Sequence, residues 1–321
     1  MVSSEIQLDG FKWTDQVNPT KQMLNDAATD LALSPRILHN CLHSDYLPHI
    51  ESYGQTHFVL LRIMEPNTQP NAGSVQELTT KVALFISNDR LYSIHRLPLK
   101  ELDTIADKVK DPARAPISKQ KLISYFFEEV VVAFDAPLSE LESKLDSFEE
   151  KLFSKRKPKN FLQEGFYLKR KASALRKVIR LTLDLLNKLS TKLDCTGEKF
   201  QQSRERLERN LFYAEDVVDN IQSLMSLHLS IESQRTNEAS YRTGDIMRVL
   251  TVLTIFFLPL NFIAGVFGMN FSKIPFLEHE MGFWLSIILM FMISAVLAIY
   301  LLKQGWLSKP DISLEKNNGA D

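Results

Sequence analysis

Cysteine is almost missing from this chain of 321 residues. Only Cys41 and Cys195 occur. Two distant thiols form no CxxC unit and no disulfide framework, which points to reduced thiols in a cytosolic domain. Excess charge of one sign is missing too. The formal net charge is −1, which argues against a nucleic-acid binder. No GxxxxGK, GxGxxG or HExxH unit occurs, so the motifs of phosphate, dinucleotide and zinc-peptidase chemistry are absent and an enzyme is not expected. The start, MVSSEIQLDGFKW, has no basic segment leading into an apolar core and therefore does not read as a cleavable signal. His39 and His43 flank Cys41 at a spacing compatible with a metal on a helix, although such a pair is ordinarily surface chemistry.

What the chain does have is unevenly placed. Hydrophobic content is 45%, ordinary for a soluble protein, but the apolar residues concentrate near the C-terminus. Residues 249–267 and 283–302 hold no charged side chain. Each run as a helix reaches roughly 28–30 Å, the thickness of a hydrocarbon core, so two membrane spans are expected. Arg235, Arg242 and Arg248 precede the first. Lys303, Lys309 and Lys316 follow the second, while the connecting loop, 268–282, carries only Lys273. This asymmetry places both termini in the cytoplasm and the loop outside it. Trp284 and Trp306 lie near the ends of the second run, where amphipathic aromatics favour the interface.

The remainder reads as an α+β cytosolic domain, residues 1–136, followed by a long-helix stalk, 137–245, the spans within 246–302, and a tail, 303–321. Thr56–Met64 is a strand candidate, and Lys81–Arg96 a hairpin turning near Asn88-Asp89. Pro19-Thr20 opens a helix, and Asn67–Ser74 reads as a loop. Leu138, Leu141, Leu145, Phe148 and Leu152 recur at helical spacing, and Pro158 ends that helix. A second helix runs to about Leu193. A third begins near Glu198 and continues into the first span, about 70 residues and roughly 100 Å long.

Inside the first span, steps of three and four from Asn261 collect Met247, Leu250, Thr254, Leu258, Asn261, Gly265 and Gly268 on one face. Amides and hydroxyls are costly in lipid unless they face protein or water. Both a helix-packing seam and a pore lining fit this face. Pro259 cannot donate to the Ile255 carbonyl, so a bend is expected there.

Gly268-Met269-Asn270, set between two terminal spans, resembles the signature of the CorA family of divalent-cation channels. Residues 247–271, MRVLTVLTIFFLPLNFIAGVFGMNF, are similar to that family's pore helix, and FKWTDQVNPT and LSPRILHNCLHSDYLPHIESYGQTHFVLLR are similar to its N-terminal segments. The resemblance implies a homopentamer in the inner membrane with a funnel-shaped cytosolic part. It implies a pore lined by the first span and passive flow of Mg²⁺, with Co²⁺ and Ni²⁺ also carried. No nucleic-acid partner and no cofactor beyond transported or regulatory divalent ions is implied. Gly268, Met269 and Asn270 would form the selectivity filter, the Asn270 amides holding a hydrated ion. Thr254 and Asn261 would form deeper polar rings, and Leu250 and Leu258 apolar constrictions.

The chain departs from the family at the pore mouth. Ser272 and Phe276 stand where acids are usual, with Lys273 between them, and acids come later at Glu278 and Glu280, the candidate cation attractors. Gly244 and Asp245 stand near the family's inner Asn, and Lys303 alone replaces a run of lysines. Asp89, Asp216 and Asp219 are candidates for a regulatory metal. Two other readings stay open: a zinc transporter of the same superfamily, and a non-conducting membrane-anchored regulator.

Overall fold

The computed structural model describes residues 2–43, 45–66, 68–69, 72–111, 116–154, 160–269 and 281–306. It divides into two compact units, Met1–His228 and Leu229–Asp321.

The first unit is built on a six-stranded sheet in the order β1-β2-β6-β5-β4-β3. Its strands are β1 (Val2–Leu8), β2 (Phe11–Val17), β3 (His49–Tyr53), β4 (Thr56–Met64), β5 (Thr79–Ile86) and β6 (Arg90–His95). All neighbours run antiparallel except β2 and β6. β4 is β-branched, aromatic and aliphatic nearly throughout and is buried on both faces, as a central strand must be. The β5–β6 hairpin turns at residues 87–89, as the sequence predicts. The β1–β2 hairpin was not foreseen. It turns at Asp9-Gly10, where Gly10 takes φ 79°, a backbone conformation that costs glycine nothing.

One face of the sheet is covered by α1 (Lys21–Asp30) and α2 (Pro35–Asn40). Their Leu24, Ala27, Ala28 and Leu38 meet Phe58, Leu60, Ala83, Phe85 and Ile94. The Thr20 side chain accepts from the Met23 amide at 3.2 Å, so the Pro19-Thr20 start is a true N-cap. The short α3 (Val75–Leu78) carries a Ser74–Glu77 capping box. α4 (Lys100–Lys110) and α5 (Lys119–Val132) follow β6, and Phe126 of α5 meets the Trp13 ring edge-on at 5.7 Å.

Adjacent strands β2 and β6 hold a buried polar relay. Their register pairs Asp15 with Ser93 and Val17 with His95, so residues 13, 15, 93 and 95 share one face. Trp13 Nε1 donates to Ser93 Oγ at 2.9 Å, Ser93 donates to Asp15, and His95 Nε2 lies 3.2 Å from the same carboxylate. His95 Nδ1 meets the Leu97 carbonyl at 2.5 Å. Burial opposes charge on His95, but the Asp15 hydrogen bond, its negative charge and the Leu97 carbonyl together outweigh it and raise the imidazole above its ordinary range.

Four further helices follow among the described residues: α6 (Asp135–Phe153), α7 (Phe161–Lys192), α8 (Glu198–Phe267) and α9 (Gly282–Lys303). The apolar stripe Leu138, Leu141, Leu145, Phe148 and Leu152 of α6 is buried, as its spacing requires. Phe148 stacks on Phe161 at 4.2 Å, and Phe161 meets His228 at 4.5 Å, so that histidine is a packed residue of the helical seam. Gly165 sits under Phe148, where an added Cβ would come within 2.6 Å of the ring. Pro158 lies outside the described residues.

Candidate ion pathway

α8 runs unbroken for 70 residues and supplies the first apolar span. α9 supplies the second, and both are long and apolar enough to cross a membrane. Within hydrocarbon every backbone and hydroxyl donor needs an internal acceptor. The structure provides these: Thr251 Oγ1 donates to the Met247 carbonyl at 2.7 Å, and Thr254 Oγ1 to the Leu250 carbonyl at 2.9 Å. The helix continues through Pro259. The Gly268 amide still bonds to the Ala264 carbonyl at 2.9 Å, and a Cβ at Gly268 would lie 3.2 Å from that oxygen, so the helix end is tightest where glycine stands.

The seven residues collected by spacing have a common fate. Met247, Leu250, Thr254, Leu258, Asn261, Gly265 and Gly268 are all exposed; Leu258 retains 69% of its surface. The half-covered positions are others: Arg248, Thr251, Val252, Ile255, Phe256, Pro259, Leu260, Ile263 and Phe267. α9 shows a matching stripe through Gly282, Ser286, Met290, Ser294, Leu297 and Leu301. The polar face of the first span is therefore turned away from cover by this chain's own helices.

Arg248 clamps the hairpin. The end of α9 is a left-handed cap in which Gly305, at φ 71°, lets the Trp306 amide reach the Leu301 carbonyl at 3.0 Å. Arg248 Nε and an Nη then donate to the Trp306 and Gly305 carbonyls at 2.8 and 2.7 Å. A guanidinium at a helix C-terminus satisfies leftover acceptors and opposes the helix dipole. Sequence reasoning counted Arg248 only as a positive-inside charge; its placement beside KQGW, with Gly at a helix end, was the signal for this second role.

The filter candidates are divided by the structure's extent. Gly268 and Met269 are described, Met269 being exposed, whereas Asn270, Glu278 and Glu280 lie outside the described residues. Asp89 sits exposed on the β5–β6 turn, accepting from Ser87 Oγ at 3.2 Å with Arg90 Nε at 3.7 Å. Asp216 and Asp219 lie exposed on one face of α8, and Asp216 accepts from Asn220 at 2.9 Å. Among the described residues no group of three or more His, Cys, Asp or Glu side chains is placed to hold a metal. His39 instead bonds to Asn25 at 3.0 Å, and Cys41 is buried, its thiol pushed up to about 12 by desolvation.

This architecture recurs in known proteins. A "Cobalt/magnesium transport protein CorA" from Thermotoga maritima is 25% identical over 310 residues, covering 94% of this chain and 83% of that protein. The complete structure of the CorA magnesium transporter from Methanocaldococcus jannaschii, 21% identical, covers 95% of this chain and 94% of its own with a TM-score of 0.56. The full-length CmaX protein, 22% identical, covers 92% of this chain and 89% of its own with a TM-score of 0.61. At these identities the solved structures show a shared fold: a mixed-sheet domain, long helices and a C-terminal apolar helix. The family described as "CorA-like Mg2+ transporter protein" matches residues 9–303, which takes in strands β2 to β6 and both apolar helices. The chain belongs to that family.

Proposed function

We propose that the protein is a passive divalent-cation channel carrying Mg²⁺, and also Co²⁺ and Ni²⁺, in the inner membrane with both termini cytoplasmic. The observation that carries this reading is the uncovered face of α8, where Thr254, Asn261, Gly265 and Gly268 alternate with Met247, Leu250 and Leu258 and the described residues of the chain leave all seven exposed. Symmetric copies arranged about an axis, in the number of five that the family resemblance implies, would turn that face inward. The functional division is then a cytosolic domain at 1–136, a stalk at 137–245, the spans and outer loop within 246–302, and a tail at 303–321.

Chemistry supports the assignment of roles. Mg²⁺ sheds water reluctantly, so a filter for it is best built from acceptors that bind its hydration shell. Asn270 supplies a neutral amide oxygen, and Gly268 and Met269 set it at the end of the helix. Thr254 already donates its hydroxyl hydrogen bond to the Leu250 carbonyl, so its oxygen presents lone pairs, which suit the outward-pointing hydrogens of a hydrated cation. Asn261 would form the ring above it. Met247, Leu250 and Leu258 supply narrow apolar rungs able to exclude water and close, and Gly265 widens the path. Glu278 and Glu280 would draw cations to the mouth. Regulation by Asp89, Asp216 and Asp219 would require ligands from a neighbouring subunit to complete a site.

Growth of a strain deficient in magnesium uptake tests this directly. The wild-type chain should restore growth at low Mg²⁺, and Asn270→Ala should lose at least about tenfold in Mg²⁺ flux, the loss of a hydrogen bond to a charged species. Proteoliposome flux with Mg²⁺, Co²⁺, Ni²⁺ and Zn²⁺ fixes the ion. Proton-driven Zn²⁺ flux without Mg²⁺ flux would overturn the choice of ion. Equal rescue by wild type and Asn270→Ala would remove that amide from the mechanism.

A further inference from the structure

Arg248 stands between two of the apolar rungs in sequence but off their face in space. Met247 precedes it, and Leu250 follows two places later. A helix turns about 100° per residue, so Met247 lies about 100° and Leu250 about 160° around α8 from Arg248. Both rungs are exposed, whereas Arg248 is half-covered. A side chain on that flank can hold the helix at one rotational setting without entering the path.

The group that receives it is itself fixed. At the end of α9 the Gln304, Gly305 and Trp306 amides turn back to the Tyr300, Leu302 and Leu301 carbonyls at 3.0, 3.1 and 3.0 Å. Leu301 is buried, at 2% exposure, so this cap is seated on covered structure. The Trp306 and Gly305 carbonyls then accept from Arg248 Nε and an Nη at 2.8 and 2.7 Å. A planar guanidinium bridges two neighbouring acceptors in one orientation, which a point donor such as an ammonium does not do. Turning α8 by one residue position, about 100°, would carry the fork off both carbonyls together.

We infer that Arg248 is a positioning residue for the inner end of the ion path. Its fork on the α9 cap sets the rotation of α8 and thereby keeps Met247 and Leu250 on the face that excludes water. The inference rests on the channel reading above and adds to it how the apolar rungs are held. Loosening the fork lets those rungs turn aside, and the closed path leaks. The residues involved all belong to the second unit.

The full chain in proteoliposomes tests it, with two readouts. Hydrogen exchange of segment 302–306 reports the fork whether or not ions pass, and basal Mg²⁺ influx reports the path. Arg248→Gln should speed that exchange by about tenfold and raise basal influx by about tenfold, as the loss of hydrogen bonds from a charged group implies. Arg248→Lys keeps the charge without the fork and should fall between wild type and Arg248→Gln on both readouts. Gly305→Ala strains the cap at φ 71° from the α9 side, away from the rungs, and should reproduce both effects. The Arg248→Gln/Gly305→Ala double variant should leak no more than the worse single variant, because both break one contact. Unchanged exchange, faster exchange with wild-type influx, or leaks that add in the double variant would each overturn the proposal. A wild type that passes no Mg²⁺ would sink the channel reading and the proposal with it. That failure is told apart from the others because the exchange differences would remain.

Discussion

His95 is bracketed by acceptors on both ring nitrogens, Asp15 on one side and the Leu97 carbonyl on the other. An imidazole can donate from both nitrogens only when it carries the charge, which is the structural reason its affinity for protons is raised. The sign for stability follows. A group whose folded-state pKa exceeds its unfolded value of about 6.5 contributes stability fully below that pH and loses it as pH rises through the folded value. The thermal midpoint of the protein should therefore decline as pH is raised from about 6 toward 8, and His95→Gln should flatten that part of the profile. A parallel decline in the variant would assign the slope elsewhere. Lys81 acts in the opposite sense, from about 8 up to its unfolded value near 10.5, so the window must stop below it. None of this was legible in the sequence, where Asp15 and His95 stand 80 positions apart. Only the parallel register of β2 and β6 brings them together, and a parallel pairing leaves no local turn signal.

At the scale of the element, α1 ends in a way that invites improvement. The Leu33 amide reaches the Ala28 carbonyl at 2.9 Å and the Ala32 amide reaches the Thr29 carbonyl at 3.1 Å, a cap that requires a left-handed residue. Ala32 fills it at φ 51° although exposed. Alanine pays about 1–2 kcal/mol for that conformation, against a smaller entropic penalty for glycine. Ala32→Gly should therefore stabilise the protein by up to about 1 kcal/mol, read as a raised thermal midpoint; a lowered midpoint would mean the cap is not populated. Helices were the most legible elements here, and for a physical reason. The α6 stripe, the Thr20 cap and the unbroken stretch after Glu198 are signals within one segment, and local signals survive without knowledge of the fold. The β1–β2 hairpin was missed although Asp9-Gly10 marks it, because the surrounding strand, VSSEIQL, is too polar to register as half-buried. The Gly165–Phe148 contact was missed for a different reason: it joins two helices, and one sequence does not reveal which glycine a partner ring will cover.

At the scale of the whole molecule, the two apolar helices were readable because membrane helices advertise themselves by composition. The acids proposed for regulation were not, since Asp89 is exposed on the β5–β6 turn, Asp216 and Asp219 are exposed on α8, and the proposed role needs ligands from a neighbouring copy. The mouth of the proposed assembly can nevertheless be tested by charge alone. In that assembly each chain would bring Lys273, which lies between the two positions where acids are usual in the family and three residues after Asn270, and rotational symmetry would repeat that charge around the axis. A ring of ammonium groups lowers the local concentration of divalent cations, and does so most at low ionic strength, where the screening length is long. Lys273→Glu reverses the sign of the ring. Initial Mg²⁺ influx into proteoliposomes at sub-saturating ion should rise by about tenfold at low salt, and the gain should shrink toward nothing as salt approaches about 1 M, where screening acts within about 3 Å. An effect that persists undiminished at high salt would point to a contact with the ion itself, and no effect at any salt would place Lys273 away from the path.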